Sequence, residues 1–159
     1  MSEMNEAIIE QATMEDLPQM VDLLYELFGQ EGDFVPDRMK QERGLRLILE
    51  QPSRGRIFVY RWNDAIVGMV NLLFTISTAE GGFVVLLEDV IVRVDYRGRG
   101  VGHQLLSHAI EYAKKKDFLR ITLLADRMDE RSQRFFASYG FVASKMIPMR
   151  LILDTSAAN

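Results

Sequence analysis

The fold of this chain is decided by residues 86–102, which read LLEDVIVRVDYRGRGVG. They overlap the longest apolar run of the sequence, Phe83 to Val94, which is typical of a central strand covered on both faces. Three glycines follow the run at every second position, and an apolar stripe of helical period then extends from Val101 to Lys116. The stretch therefore predicts a strand, a glycine-rich loop and a helix in direct succession.

The loop from Arg97 to Gly102 has the composition of an anion site. Backbone N–H groups at the start of a helix, together with the positive end of the helix dipole, favour a phosphate-like ligand. Glycines let the backbone approach such a ligand, and the two arginines can donate charge-assisted hydrogen bonds to it. The loop lacks the Gly-Lys-Ser/Thr ending of a P-loop and the glycine spacing of a Rossmann loop. We expect a pyrophosphate here; a turn that only joins strand to helix is the alternative.

The rest of the chain supplies further strands and helices around this unit. Because the strand, helix and strand of residues 84–125 form a crossover unit, those two strands are expected to be parallel, whereas the earlier hairpin is antiparallel. The fold class is therefore α/β (α+β mixed), with helices on the faces of a mixed sheet. The other predicted elements are a strand at Ala7 to Ala12, helices from Thr13 to Phe28 and Asp37 to Glu50, strands at Arg56 to Trp62 and Ala65 to Thr75, a strand at Phe118 to Ala125, a helix at Glu130 to Tyr139 and one or two strands within Phe141 to Leu153.

The composition of the chain argues against several classes of function. The 159 residues are 48% hydrophobic and 26% charged, which indicates one soluble globular domain spanning residues 1–159. A net charge of −4 argues against a general nucleic-acid binder, and the absence of cysteine excludes disulfides and a thiol nucleophile. His103 and His108 are about 140° apart on a helix, so no metal site is expected. Without a signal peptide or an apolar run of about 18 residues, we expect a cytoplasmic protein with no membrane partner.

Residues 86–102 closely resemble the central motif of the GNAT superfamily of acetyl-CoA-dependent N-acetyltransferases. The family's loop reads Gln/Arg-x-x-Gly-x-Gly/Ala, which Arg97, Gly100 and Gly102 match. Residues 134–141, RFFASYGF, resemble the family's second motif. Residues 11–27 and 66–68 resemble its opening strand and helix and its third strand, so that the resemblance covers most of the chain.

The resemblance implies a fold and a cosubstrate. It implies a sheet of six to seven strands, with about four helices, whose two central strands splay apart after residues 90–92. The pantetheine arm of acetyl-CoA would bond the backbone near Val90, Ile91 and Val92. Its pyrophosphate would lie on the N–H groups of the loop, which are those of Arg97, Gly98, Arg99, Gly100, Val101 and Gly102. Weaker contacts on the cofactor side are expected from Asp129, Ser132 and Phe136.

Acetyl transfer to an amine requires a base, because an alkylammonium with a pKa of about 10.4 loses its proton only about once in 10³·⁴ at pH 7. Glu88 and Asp89 interrupt the apolar strand and are expected on its opposite faces. The family often carries a base at or near the position of Glu88, so Glu88 is the first candidate and Asp89 the second. A structural ion pair with an arginine is the alternative.

The thiolate that leaves is commonly protonated in this family by a tyrosine, and that position is occupied here by Phe136. Tyr139 lies three residues further on, which in a regular helix is about 60° around and 4.5 Å along the axis. It is the remaining candidate acid, with packing at a helix end as the alternative. A thiol with a pKa near 8.5 can also depart as a thiolate without help.

These features predict an N-acetyltransferase that moves the acetyl group of acetyl-CoA directly to a primary amine in a ternary complex. The amine is expected to be a small cationic metabolite, because four acids lie in the segment that shapes the family's acceptor pocket: Glu26, Glu31, Asp33 and Asp37. The alternatives are a protein N-terminal or lysine acetyltransferase, a non-catalytic acetyl-CoA sensor, favoured by Phe136, and a generic nucleotide-binding module. Homodimers are common in the family, and a C-terminal strand can supply their interface.

Overall fold

The computed structural model describes residues 6–30 and 37–153, and its contacts divide the chain into two compact units, Met1–Leu123 and Leu124–Asn159. Within the described residues, the first unit carries the sheet and three α-helices, and the second carries one α-helix. The strands are β1 (Ala7–Gln11), β2 (Gly55–Trp62), β3 (Ala65–Ser77), β4 (Gly82–Val92) and β5 (Ile121–Leu123), and the helices are α1 (Leu17–Gln30), α2 (Arg38–Leu49), α3 (Val101–Lys115) and α4 (Glu130–Ala137).

The sheet has the order β1-β2-β3-β4-β5, in which the first four strands are antiparallel neighbours and β4 pairs with β5 in parallel. The predicted mixed sheet with helices on its faces is confirmed. The predicted count of six to seven strands is wrong for the part of the chain that the structure describes, where the sheet has five strands. Residues 141–153 contain no strand, because an extended run becomes a strand only where a neighbour accepts its backbone hydrogen bonds.

The two faces of the sheet are covered by different helices. Ile57 packs in one core cluster with α1 and α2, whereas the next residue, Phe58, places its ring 5.1 Å from that of Tyr112 on α3. Because successive side chains of a strand point to opposite faces, α3 lies across the sheet from α1 and α2. The α3 stripe predicted from the sequence is buried at Val101, Leu105, Leu106, Ala109 and Ala113.

A short turn of 3₁₀ helix joins β1 to α1 and contains a buried carboxylate. Thr13 and Asp16 form a capping box, in which the Thr13 N–H donates to Asp16 Oδ2 at 2.8 Å. Arg61 of β2 donates to the same carboxylate at 2.6 Å and also to Glu10. Burial by itself would raise the pKa of Asp16, but the hydrogen bonds from Arg61 and Thr13 outweigh it and lower that pKa. These contacts fix the start of α1 to the sheet.

None of the helices within the described parts of the chain is long and apolar enough to cross a membrane.

Candidate active site at the open edge of strand β4

A bulge interrupts β4 at the acidic pair. Asn71 of β3 lies opposite Asp89, but the next residue of β3, Leu72, lies opposite Leu87. Glu88 is therefore an extra residue on β4, and it is exposed, whereas Asp89 is half-buried. A bulge bends its strand and increases the local twist. The bulge thus bends β4 at Glu88, the residue that the sequence predicts to be the base.

The pairing between β4 and β5 ends beside this bulge. Among the described residues, β5 accompanies β4 only from Val85 to Leu87, while β4 continues to Val92. The divergence therefore begins three to five residues before the predicted position, after Leu87 instead of after residues 90–92.

The backbone groups of the diverging part of β4 alternate between its two edges. The Arg93 N–H donates to the Val67 carbonyl of β3 at 2.7 Å, so the N–H and carbonyl of Val92 and of Val90 face the other edge. The Val92 carbonyl accepts a hydrogen bond from Arg97 Nε at 3.2 Å on that edge. Ile91 alternates toward β3, and its side chain lies in the core. The geometry therefore supports Val90 and Val92 as backbone partners of a ligand more directly than Ile91.

The glycine loop joins β4 to α3. Gly98 and Gly100 have φ angles of 78° and 83°, a left-handed conformation that glycine adopts without strain. A Cβ atom at either position would meet no atom within 4 Å, so the backbone conformation, and not crowding, requires glycine there. Gly100 is the N-cap of α3, and the N–H groups of the first helical turn, at Val101 and Gly102, have no carbonyl of their own helix to bond. This is the strand, loop and helix start that the sequence predicted.

The three arginines around the loop differ in their contacts and in their exposure. Arg93 and Arg99 both lie over the ring of Tyr96, with their guanidinium carbons 4.8 and 4.9 Å from its centroid. Arg93 also donates two hydrogen bonds of 2.7 Å to Asp95, which raise the pKa of Arg93 and lower that of Asp95. Arg99 is exposed, and a contact with an aromatic ring leaves its positive charge in place. Arg97 is exposed as well.

The acids predicted to steer a cationic acceptor have more than one role. Glu26, near the end of α1, accepts a hydrogen bond of 3.2 Å from the Val94 N–H and so joins that helix to the start of the loop. Asp37 caps α2 by accepting from the N–H groups of Met39 and Lys40. Glu31 and Asp33 lie outside the described residues. Steering by these acids stays a prediction.

Sequence reasoning missed one residue beside the bulge, Asn71. Its side chain is 6% exposed, and its Oδ1 atom is buried without a hydrogen-bond partner among the described residues. Ile57 and Asp89 lie directly opposite it on the neighbouring strands. The signal was present in the sequence, since Asn71 is the one amide in the apolar run from Ala65 to Thr75.

The second unit contains the remaining predicted site residues. Asp129 is the N-cap of α4 and accepts from the backbone N–H and the hydroxyl of Ser132, which lower its pKa. Phe136 is half-buried, and its ring lies 5.9 Å from that of Phe141. The helix ends at Ala137, two residues earlier than predicted, because the chain turns toward Gly140, whose φ is 97°. Tyr139 therefore lies beyond the helix, and the spacing expected for a regular helix does not apply to it.

Both histidines lie on α3, His103 directly after Gly102 and His108 further along the helix. His108 packs edge-on against Phe58, with ring centroids 4.5 Å apart, and burial together with Lys115 lowers its pKa. His103 is exposed. Within residues 6–30 and 37–153, no group of three or more histidine and acidic side chains is arranged to hold a metal ion.

Residues 17–141 match the model of the acetyltransferase (GNAT) family. The chain belongs to this family. The match includes β4, the glycine loop and α3, and it extends into the second unit as far as Phe141. The resemblance seen in residues 86–102 is thereby confirmed for the GNAT family, which is a family of acetyl-transferring enzymes.

Individual relatives agree with this assignment. The chain is 26% identical over 140 residues to an uncharacterized N-acetyltransferase of Methanocaldococcus jannaschii, which covers 87% of this chain and 62% of the relative. It is 31% identical over 99 residues to the glucosamine 6-phosphate N-acetyltransferase of Trypanosoma brucei brucei, covering 62% of this chain and 65% of that protein. The chain thus spans less than two thirds of the length of these relatives.

A solved structure shows the same fold. The crystal structure of a possible acetyltransferase from Clostridium difficile 630 superposes with a TM-score of 0.82, at 19% sequence identity. The superposition covers 92% of this chain and 99% of that structure.

Proposed function

We propose that this GNAT protein transfers the acetyl group of acetyl-CoA to a primary amine of a small cationic molecule, by direct attack in a ternary complex. The observation that carries the proposal is the continuity of β4 with the glycine loop. The edge of β4 that diverges from β5 leads directly to the start of α3. An extended ligand fits this arrangement, because amides along its arm can pair with the edge of β4 and a pyrophosphate at its end can bind at the start of α3.

The residues present fit acetyl-CoA. The backbone groups of Val90 and Val92 face the edge that a pantetheine amide can pair with. The first turn of α3 offers N–H groups to a pyrophosphate, and the exposed guanidiniums of Arg97 and Arg99 add positive charge beside them. Acetyl-CoA supplies the activated thioester, and this chain supplies the surface that orients it. Contacts from Asp129, Ser132 and Phe136 belong to the same proposal.

Glu88 is the proposed base. The carboxylate is exposed at the bulge, where β4 changes direction, and it lies two residues before the first proposed pantetheine contact at Val90. At pH 7 the free amine lies about 4.6 kcal/mol above its alkylammonium form, and a nearby carboxylate can accept the proton as the amine attacks. The amine nitrogen then forms a bond to the acetyl carbon, and the carbon–sulfur bond breaks to release the CoA thiolate. Tyr139 is the proposed donor of a proton to that sulfur.

One observation favours a second candidate, a non-catalytic acetyl-CoA sensor. Phe136 carries no hydroxyl at the position where the family commonly has its acid. A sensor binds acetyl-CoA but releases no thiol with any amine. A protein N-terminus or a lysine side chain is the alternative acceptor for an active enzyme. The proposal also includes a single domain spanning residues 1–159, a cytoplasmic location and a homodimer. Sedimentation equilibrium measures the oligomeric state and so tests for the homodimer.

The first test is a calorimetric titration with acetyl-CoA, with CoA and ATP as comparison ligands. Gly100→Ala should weaken acetyl-CoA binding about tenfold or more, because alanine is strained at this left-handed N-cap and shifts the first turn of α3. Gly81→Ala is the matched control. Gly81 also has a left-handed φ, of 80°, and open space around it, but it lies in the turn between β3 and β4. Equal weakening by both substitutions, or ATP binding that acetyl-CoA does not displace, would contradict the proposal.

The second test separates enzyme from sensor. Release of CoA thiol is measured with a panel of primary amines that includes glucosamine, spermidine and an N-terminal peptide. Release with any member establishes acetyl transfer, and the preferred member identifies the acceptor class. Tight acetyl-CoA binding without release across the panel would favour the sensor.

A further inference from the structure

Two aromatic residues connect the sheet to the glycine loop. Trp62 is the last residue of β2 and the one tryptophan of the chain. Its ring lies 5.8 Å from that of Tyr96, with the two planes at 57° to each other. Tyr96 ends a short 3₁₀ turn and is the residue directly before the loop. Both rings are half-buried, so the end of β2 touches the start of the loop although the two are distant in the sequence.

Trp62 is held in place by its neighbours in the sheet. It lies opposite Ala7 of β1 and opposite Ala65 of β3. Its ring also stacks on that of Tyr60, with centroids 6.5 Å apart and planes 22° from parallel, and Tyr60 is 3% exposed. Close-packed side chains of this kind keep one arrangement, so Trp62 is a fixed support for Tyr96.

The Tyr96 ring in turn contacts two guanidinium groups, those of Arg93 and Arg99, at 4.8 and 4.9 Å from its centroid. Asp95 accepts two hydrogen bonds from Arg93 and so compensates the charge of that arginine. No carboxylate forms an ion pair with Arg99 in the part of the chain that the structure describes. The face of a ring attracts a cation but leaves its N–H donors available. Arg99 is therefore the arginine on this ring that is ready to bind an anion.

We propose that Trp62 and Tyr96 are positioning residues, which hold the guanidinium of Arg99 for a phosphate of acetyl-CoA; the inference rests on the proposed function. Arg99 lies between the two left-handed glycines of the loop. A long side chain that is free in solvent loses rotamer freedom when it binds a ligand, whereas one already held on a ring loses less. Part of the affinity of the loop thus originates in two aromatic residues outside it.

The first measurement is the Kd of acetyl-CoA, determined by calorimetry on the full-length chain. Tyr96→Leu should weaken binding about fivefold or more, because it removes the ring on which Arg99 lies. Tyr96→Phe should change the Kd less than about twofold, because it keeps the ring and removes only the hydroxyl. Equal weakening by the two substitutions would overturn the inference, since the ring would then not be the feature that matters.

A double-mutant cycle distinguishes positioning from simple packing. If Tyr96 acts through Arg99, Tyr96→Leu should change the Kd less than about twofold in a chain that already carries Arg99→Ala. Arg93→Ala is the matched background, because Arg93 lies over the same ring at nearly the same distance, and Tyr96→Leu should keep its full effect there. The same effect of Tyr96→Leu in both backgrounds would show that the ring only packs, and would overturn the inference.

Trp62 is tested in the same way. Trp62→Leu should weaken acetyl-CoA binding about threefold, and this loss should disappear in the Arg99→Ala background. Phe74→Leu is the control, because Phe74 packs on Phe118 at 4.8 Å in a different aromatic cluster, and its acetyl-CoA affinity should stay unchanged. If Tyr96→Leu fails to fold, the Trp62→Leu cycle decides alone. Normal affinity of Trp62→Leu, or equal losses in Trp62→Leu and Phe74→Leu, overturns the inference.

Inorganic pyrophosphate keeps this inference apart from the proposed function, because it has the phosphate charge but neither the pantetheine arm nor the acetyl group. Its Kd, measured by NMR titration, should rise in Tyr96→Leu and should not rise further when Arg99→Ala is added. This pattern in a protein that does not bind acetyl-CoA would contradict the proposed function only. Acetyl-CoA binding without the coupling between Tyr96 and Arg99 would overturn the inference only. Binding of neither ligand would contradict both.

Discussion

Gly68 of β3 lies so close to Leu105 of α3 that a Cβ atom at position 68 would force the Leu105 side chain to shift. A Cβ atom at Gly68 would lie 2.9 Å from Leu105 Cδ1, 3.0 Å from Val101 Cγ1 and 3.1 Å from the Ile91 carbonyl oxygen. The glycine thus sets the distance between the sheet and the first two turns of α3. The same turns begin at the candidate pyrophosphate site.

Gly68→Ala should therefore impair both stability and cofactor binding. We expect the free energy of unfolding to fall by about 1–3 kcal/mol, the usual cost of overpacking, and acetyl-CoA binding to weaken because the start of α3 shifts. Urea unfolding and calorimetry check the two effects. Gly44→Ala is the control, since a Cβ atom at Gly44, inside α2, would meet no atom within 4 Å, and alanine there should stabilise by about 0.5–1 kcal/mol. A stable Gly68→Ala protein with normal acetyl-CoA affinity would contradict the prediction.

Removing the Asp16 carboxylate should destabilise the protein in a pH-dependent way. The pKa of Asp16 is lower in the folded protein than its ordinary value of 3.8. Its contribution is therefore present above about pH 4 and is lost as the pH falls through the folded-state pKa. Asp16→Asn should lower the free energy of unfolding at pH 7 by about 1–3 kcal/mol, since it weakens buried hydrogen bonds from Arg61 and Thr13.

Urea unfolding from pH 7 to pH 3 measures this difference. The gap between the Asp16→Asn variant and the unmodified protein should narrow below pH 4. Asp22→Asn is the comparison, because Asp22 pairs with Arg38 on the surface and an exposed pair contributes at most about 1 kcal/mol. A gap for Asp16→Asn that stays constant across the range would show that its ionisation is not linked to folding.

The sequence predicted the order of elements around the site better than the details of the sheet. The apolar run of β4, the glycines and the stripe of α3 each have a local pattern, so the unit could be read directly from residues 83–116. The bulge at Glu88 has no such pattern, because it depends on the register between β3 and β4. The same holds for the early divergence of β5. Asn71 was missed because a single polar residue in an apolar run does not reveal whether a partner satisfies it.

Arg99→Ala should weaken acetyl-CoA binding more than Arg93→Ala does. Both arginines lie over the Tyr96 ring, but Arg93 is bonded to the Asp95 carboxylate and Arg99 is exposed beside the loop. A charge-assisted hydrogen bond to a phosphate contributes about 1.5–3 kcal/mol, which corresponds to roughly 10–100-fold in Kd. The loss for Arg99→Ala should shrink in high salt, which screens exposed charges. Equal effects of the two substitutions in calorimetry would contradict this arrangement.

Tyr139 and Phe136 provide the last prediction, which concerns the proton donor. If the Tyr139 hydroxyl protonates the departing thiolate, Tyr139→Phe should lower kcat about 10²-fold or more with an amine that is turned over, because general acid help contributes 10²–10⁴-fold. The Kd of acetyl-CoA should not change. Tyr112→Phe, which removes the hydroxyl of a tyrosine packed against Phe58 and Phe74, is the control and should leave kcat unchanged.

The Phe136→Tyr variant distinguishes two cases. In one, Tyr139 donates the proton to the thiolate in place of the family's usual tyrosine; in the other, no residue donates it. If Tyr139 already supplies the proton, a second hydroxyl at position 136 adds little, and kcat should stay within about threefold of the unmodified enzyme. A large gain in kcat from Phe136→Tyr, together with no loss from Tyr139→Phe, would show that the thiolate of the unmodified enzyme departs without an acid. That outcome is chemically accessible, since a thiol with a pKa near 8.5 is a good leaving group. The pair of variants therefore decides whether the second unit supplies the acid in this chain.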